Sequence, residues 1–224
     1  MRAAQPVTIA VGATQRVSGL LQAPAAARAC YVLAHGAGAG MEHPFMTAIA
    51  NGLAQRDIAT LRYQFPYMER GSKRPDSPAL AQATVRAAVA EAARLVPSLR
   101  LVAGGKSFGG RMTSQAQAAA PLPGVRGLVF LGFPLHPAGK PGSERARHLS
   151  DVQLPMLFLQ GTRDALADAQ LMQALAGQLG ARATLQLVPE ADHSFHVPAR
   201  TGRTDKDVLA EMLDGLAAWL ETLG

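Results

Sequence analysis

The stretch Leu101–Thr113, LVAGGKSFGGRMT, restricts what this chain can fold into more than any other. A short apolar run, Leu101 to Ala103, meets two glycines and then Gly105-Lys106-Ser107-Phe108-Gly109, a G-x-S-x-G pattern, before a helix-compatible stretch begins. A serine in that position sits on a strained strand-to-helix turn that lifts its hydroxyl clear of the sheet, so the flanking residues must lack bulk. Gly105 and Gly109 meet that requirement. The stretch therefore predicts a strand, a tight turn centred on Ser107 and a helix from Phe108 to about Ala119, and it makes Ser107 a candidate nucleophile.

The remaining chain repeats the strand-then-helix rhythm. Val7–Val11 and Arg16–Gln22, separated by Gly12 and Ala13, read as a hairpin that Ala23-Pro24 ends. Ala29–Ala34 is continuously apolar, as expected of a strand covered on both faces. Phe45, Met46, Ile49, Ala50 and Leu53 recur at helical spacing within Pro44–Gln55, and Ile58–Tyr63 is the next strand. Gln64–Ser77, with two prolines, a glycine and five charges, reads as a polar loop, and Val85, Val89, Ala92 and Val96 mark a long helix behind it. After the central stretch come a strand at Val125–Leu131, a proline-rich segment from Phe133 to Leu154, a strand at Met156–Gln160, a helix at Leu166–Leu179, a strand at Thr184–Val188 and a last helix from Asp205 to Leu223. Thr204 and Asp207 have the spacing of a capping box for that helix. Strands alternating with helices predict an α/β fold, a mainly parallel sheet with helices on both faces, and 224 residues without a repeat or linker fit one domain.

Composition narrows the function classes. Hydrophobic residues make up 48% and charged residues 17%, and no apolar run approaches the ~20 residues that span a bilayer. No sustained apolar stretch resembling a signal peptide follows Met1, so the expectation is a cytoplasmic protein without membrane association. The single Cys30 lies in an apolar run and reads as a buried thiol. A formal charge of +6 invites a nucleic-acid reading, but the basic residues are scattered among one Trp and three Tyr, and no nucleic-acid partner is expected. Gly36-Ala37-Gly38-Ala39-Gly40 follows a strand, but its glycines alternate instead of forming G-x-G-x-x-G, and Asp57 precedes the next strand instead of ending it; no dinucleotide, other cofactor or metal is expected.

In parallel α/β sheets the loops at the carboxyl ends of the strands converge on one site. Four such loops carry chemistry here: the one after Ala34, the Ser107 turn, Gly161-Thr162-Arg163-Asp164, and Ala191-Asp192-His193-Ser194-Phe195-His196. The order Ser107, Asp164, His193 is that of α/β-hydrolases. Asp164 also suits a helix N-cap, and both readings can hold at once. Two histidines compete as general base: His193 lies early enough past Val188 to project over the sheet, and His196 lies further on, beside Val197-Pro198, where the proline favours extended backbone.

Six segments, HGAGAGMEHPFM, RYQFPYMERG, GKSFGGRM, FPLHPAGKP, LQGTRD and ADHSFHV, resemble in order an α/β-hydrolase branch. That branch holds bacterial dienelactone-hydrolase-like proteins, the testis-expressed protein thirty and the third regulatory subunit of the NSL complex. The resemblance runs from about Cys30 to Val197 and implies an α/β-hydrolase fold with Ser107, Asp164 and His193 as triad. It implies a hydrolase of small ester-type substrates, or, as in the chromatin-complex subunit, the same fold used for binding. From the mechanism the oxyanion would be held by the backbone N–H groups of Phe108 and Ala37, while His35, Lys106, Arg111 and His196 are candidate pocket residues. Arg62, Arg70, Lys73, Arg74, Lys106, Arg111 and Lys140 are expected to form a positive rim. The segment between Phe133 and Pro155 is too short for a large helical cap, so a minimal cap and an open pocket are expected.

Overall fold

The strand-and-helix alternation resolves into one eight-stranded sheet in a computed structural model that describes residues 3–223. The strands are β1 (Gln5–Val11), β2 (Gln15–Gln22), β3 (Ala29–Ala34), β4 (Ile58–Tyr63), β5 (Arg100–Lys106), β6 (Val125–Leu131), β7 (Met156–Gly161) and β8 (Ala183–Val188), in the order β1-β2-β4-β3-β5-β6-β7-β8. β1 and β2 form the expected antiparallel hairpin, β2 pairs antiparallel with β4, and β3 to β8 are parallel. The helices are α1 (Pro44–Ala54), α2 (Pro66–Glu69), α3 (Pro78–Leu95), α4 (Phe108–Ala119), α5 (Ala169–Leu179) and α6 (Asp205–Glu221).

Alternate side chains of each strand feed two apolar layers. Cys30, Val32 and Ala34 of β3 join the layer under α3, α4 and α5, whereas Ala29, Tyr31 and Leu33 join the layer under α1 and α6. The Thr204–Asp207 capping box forms at the start of α6. The chain leaves β3 to one side for β4 and returns to its other side for β5, so the loops after β3 and β5 adjoin at this reversal, where Ala34 pairs with Gly105.

Two expectations are corrected, and the proline-rich segment gains an element. Gln64–Ser77 is not a plain polar loop: Phe65 and Tyr67 are fully buried and Pro66 opens the short α2, because the apolar Phe-Pro-Tyr triplet inside the charged stretch packs under the site. The proline-rich segment contains a 3₁₀ helix, Glu144–Asp151, which buries Ala146 and Leu149 at the three-residue spacing of that helix. α5 begins at Ala169 rather than Leu166, since Asp168, not Asp164, supplies the cap, accepting the N–H groups of Gln170 and Leu171.

His35 follows β3 in full burial. Its Nδ1 donates to the Gly36 carbonyl at 2.7 Å and its Nε2 accepts the Phe65 N–H at 3.1 Å, which fixes one neutral tautomer. Burial lowers its pKa from 6.5 to about 4, against a smaller opposing effect of the Gly36 carbonyl.

A Cβ on Gly109 would stand 2.6 Å from the His35 carbonyl oxygen, whereas a Cβ on the exposed Gly177 of α5 meets nothing within 4 Å. Gly109→Ala should lower stability by about 1–3 kcal/mol by overpacking, and Gly177→Ala should raise it by about 0.5–1 kcal/mol through helix propensity; urea midpoints that move in the same direction would contradict this. Between pH 6.5 and about 4 the unfolded chain holds the His35 proton and the native chain does not, so stability falls on acidification through that window. The loss attributable to His35 is up to about 3 kcal/mol. The difference in urea midpoint between pH 7 and pH 4.5 should shrink in His35→Gln, and an unchanged difference would contradict the assignment.

Candidate active site

The helix α4 is built to leave a hydroxyl unspent. Ser107 occupies its N-cap position, where a serine ordinarily accepts a backbone N–H, yet no such side-chain bond forms. Its backbone instead takes φ 49 and ψ −112, a strained conformation held by the Ser107 N–H donating to the Leu131 carbonyl at 3.2 Å and its own carbonyl accepting the Arg111 N–H at 3.1 Å. Close packing requires the glycine before it: a Cβ on Gly105 would lie 2.2 Å from the Ala34 carbonyl oxygen.

The freed hydroxyl meets an imidazole. His193 Nε2 lies 2.9 Å from Ser107 Oγ, and His193 Nδ1 lies 2.7 Å from Asp164 Oδ2. A neutral ring with its proton on Nδ1 donates to the carboxylate and accepts from the hydroxyl. The Asp164 side chain is fully buried, and its charge is satisfied by two further donors, Gln160 Nε2 at 2.6 Å to Oδ2 and the Leu166 N–H at 2.8 Å to Oδ1. Gln160 in turn accepts the Phe133 N–H at 2.8 Å. The His193 loop is tied by Asp192, whose Oδ1 accepts the N–H groups of Ser194 and His196 at 2.8 and 3.0 Å.

The loop after β3 closes the other side. It is pinned by the Gly38 N–H donating to the Tyr67 hydroxyl at 3.0 Å and the Met41 N–H donating to Gln64 Oε1 at 2.8 Å. The buried Arg62 donates to the Met41 carbonyl at 3.2 Å and to Thr47 Oγ1 at 2.9 Å. Among the described residues the N–H groups of Ala37 and Phe108 have no backbone acceptor. Ala37 and Ser107 share an open pocket of about 480 Å³, lined also by Gly36, Ala39, His43, Phe45, Met46, Lys106, Leu166, His193 and Ser194.

The four candidate pocket residues divide. Lys106 lines the pocket, but as a half-buried side chain and not as a solvated charge: its Nζ lies 5.9 and 5.1 Å from the ring centroids of Phe45 and Phe195 and donates to the His193 carbonyl. His35 lies sealed beneath the loop. His196 points away, exposed, its Nδ1 2.9 Å from Asp205 Oδ2, and that carboxylate raises its pKa. Arg111 lies outside the lining, and burial and then the charge of Arg145 lower its pKa. The positive rim is thinner than the sequence implied, since Arg62 is buried, Arg70 pairs with Asp76 at 2.7 Å and Lys106 is turned under His193. Sequence reading missed Gln160, although a single polar residue ending the apolar run Met156–Gln160 was a signal, and it missed the pocket walls His43, Phe45, Met46, Leu166 and Ser194. Burial pushes the Cys30 thiol up to about 12, which leaves it unreactive. Among the described residues no group of three His, Cys, Asp or Glu side chains converges on a metal position, and no helix is long and apolar enough to cross a membrane.

The architecture is shared with solved structures. A dienelactone hydrolase from Anabaena variabilis is similar with a TM-score of 0.77 at 20% identity, over 99% of each chain. An alpha-beta serine hydrolase homologue from Coxiella burnetii gives 0.76 at 16% identity, over 98% of this chain and 99% of that one. A lidless member of the a/b serine hydrolases from Xanthomonas campestris gives 0.74 at 21% identity, over 98% and 96%. Such identities establish likeness of fold. Residues 27–221 match the family model described as an alpha/beta hydrolase domain, and the chain belongs to that family.

Proposed function

We propose that this hydrolase is a serine esterase that works through an acyl-enzyme on Ser107. The observation that carries the reading is the unbroken hydrogen-bonded line from Ser107 Oγ through His193 to the buried Asp164 carboxylate. Ser107 attacks the acyl carbon as His193 Nε2 takes its proton; His193 then returns that proton to the leaving alcohol, and water repeats the sequence to release the acid. Asp164 fixes the tautomer and stabilises the imidazolium. The backbone N–H groups of Ala37 and Phe108 receive the developing oxyanion, each donor worth on the order of 10²–10³ in rate.

The pocket supports small or accessible acyl groups. Carboxylic esters, thioesters and lactones all suit this chemistry, and the resemblance of GKSFGGRM, LQGTRD and ADHSFHV to the dienelactone-hydrolase-like branch favours such substrates. The reading places the protein in the cytoplasm, as a single domain free of cofactor, metal, membrane and nucleic acid.

A panel of p-nitrophenyl esters tests it. Acetate and butyrate should be hydrolysed with kcat/KM at least tenfold above palmitate, and Ser107→Ala should remove activity by a factor on the order of 10⁴–10⁶ without loss of folding. More than a tenth of the activity left in Ser107→Ala would overturn the assignment. His193→Ala should be nearly inactive, whereas His196→Ala, which breaks only the exposed contact with Asp205, should keep kcat within about threefold; the reverse ranking would exchange the roles of the two histidines.

A further inference from the structure

The residue just before Ser107 is a lysine, and its position is costly. The Lys106 side chain is half buried, and burial lowers its pKa from 10.5 to about 8, against the opposing charges of Asp164 and Asp192. Its head occupies a slot beside Phe45 of α1 and Phe195 of the loop after β8, whose rings stack at 5.9 Å with an interplanar angle of 7°, and Nζ lies 5.9 and 5.1 Å from the two centroids. The head donates to the backbone carbonyl of His193. Room for it depends on Gly132 at the end of β6, where a Cβ would come within 2.8 Å of Nζ and 3.5 Å of the His193 ring.

A methionine or leucine would fill this slot without a desolvated charge. What the ammonium adds is a charge-assisted hydrogen bond to the main chain of the histidine that must reach both Ser107 and Asp164. The loop holding His193 departs from regular structure, with Glu190 and Phe195 both at positive φ, and its main chain is held by local turn bonds, the Phe195 N–H to the Asp192 carbonyl and the Asp192 N–H to the His196 carbonyl, together with side-chain anchors.

We propose that Lys106 is a positioning residue: its ammonium, beside the stacked rings of Phe45 and Phe195, holds the His193 carbonyl and thereby sets the imidazole between Ser107 and Asp164. The inference rests on the proposed esterase chemistry. The groups that face the ammonium are the carboxylates of Asp164 and Asp192, the His193 backbone and ring, and the two phenyl rings, with Ser107 and His43 lining the same pocket. The Asp164 carboxylate accepts three hydrogen bonds, and the Lys106 ammonium, its pKa lowered to about 8, changes charge in the alkaline range. Loss of its proton turns a charge-assisted bond into a neutral one and loosens the anchor.

The test uses p-nitrophenyl butyrate, with kcat and KM measured separately from pH 6 to 10 and folding followed by circular dichroism. The underlying reading is checked first: wild type must turn over and Ser107→Ala must not, and failure there removes the esterase reading and not the lysine's role. Given that, wild-type kcat should fall by about threefold to tenfold as pH rises through 8. Lys106→Met should lower kcat by about 10- to 100-fold at pH 7, with KM within about twofold, and should lose the alkaline fall. Lys106→Arg, which keeps the charge, should recover at least half of the logarithmic loss and keep its kcat to pH 10. If Lys106→Met fails to fold, the wild-type and Lys106→Arg profiles decide. A wild-type kcat that stays flat through pH 8, a folded Lys106→Met with wild-type kcat, or a Lys106→Arg profile falling like the wild type each overturns the proposal.

Discussion

The buried carboxylate of Asp164 is the constraint from which the rest of the site follows. An ionised carboxylate removed from water is tolerated only when its lone pairs are satisfied, and here the donors come from Gln160 Nε2, the Leu166 N–H and His193 Nδ1. Each donor ties another element into place. Gln160 is the penultimate residue of β7 and reaches the Phe133 amide, Leu166 lies on the turn leading to α5 and borders the pocket, and His193 belongs to the loop after β8. Once that loop is pulled toward Asp164, the imidazole has its other nitrogen facing β5, where Ser107 is waiting.

Ser107 is available because the sheet leaves it no alternative. Gly104 and Gly105 of β5 take φ 151, at which a Cβ would run into the carbonyls of Val129 on β6 and Ala34 on β3, so side chains are excluded there, just before the turn that projects Ser107 outward. The reversal of strand order places the loop after β3 directly beside this turn, so Ala37 and Phe108, whose N–H groups have no backbone acceptor among the described residues, lie on adjoining segments. A buried neutral His35, an immersed Phe65 and Tyr67, and a buried Arg62 hold that loop from below. The proposed chemistry thus depends on polar groups that never meet the substrate.

Most strands and long helices were legible in the sequence because their signals are local. Continuous apolar runs such as Ala29–Ala34 and the helical spacing of Met46, Ile49 and Leu53 point to one answer at every level. The juxtaposition of Ser107, Asp164 and His193 was legible through the glycine spacing and the rule that strand ends converge. What escaped depends on distant partners. Phe65 and Tyr67 sit in a stretch whose charges advertise a loop, and only contact with His35 and Phe108 shows that they are core. Lys106 reads as surface charge by its type, and its burial depends on two phenylalanines from opposite ends of the chain. Arg62 was assigned to a rim for the same reason and instead lies under the loop it anchors.

The central claim is that the strained hydroxyl of Ser107 is an activated nucleophile, and covalent capture reads this without knowledge of the substrate. The folded protein is incubated with a small fluorophosphonate at neutral pH, followed by intact mass measurement and peptide mapping. The account predicts one phosphonyl group per chain, carried by Ser107, with a labelling rate that collapses in His193→Ala. An unmodified chain, or a phosphonyl group on any other residue, would contradict it.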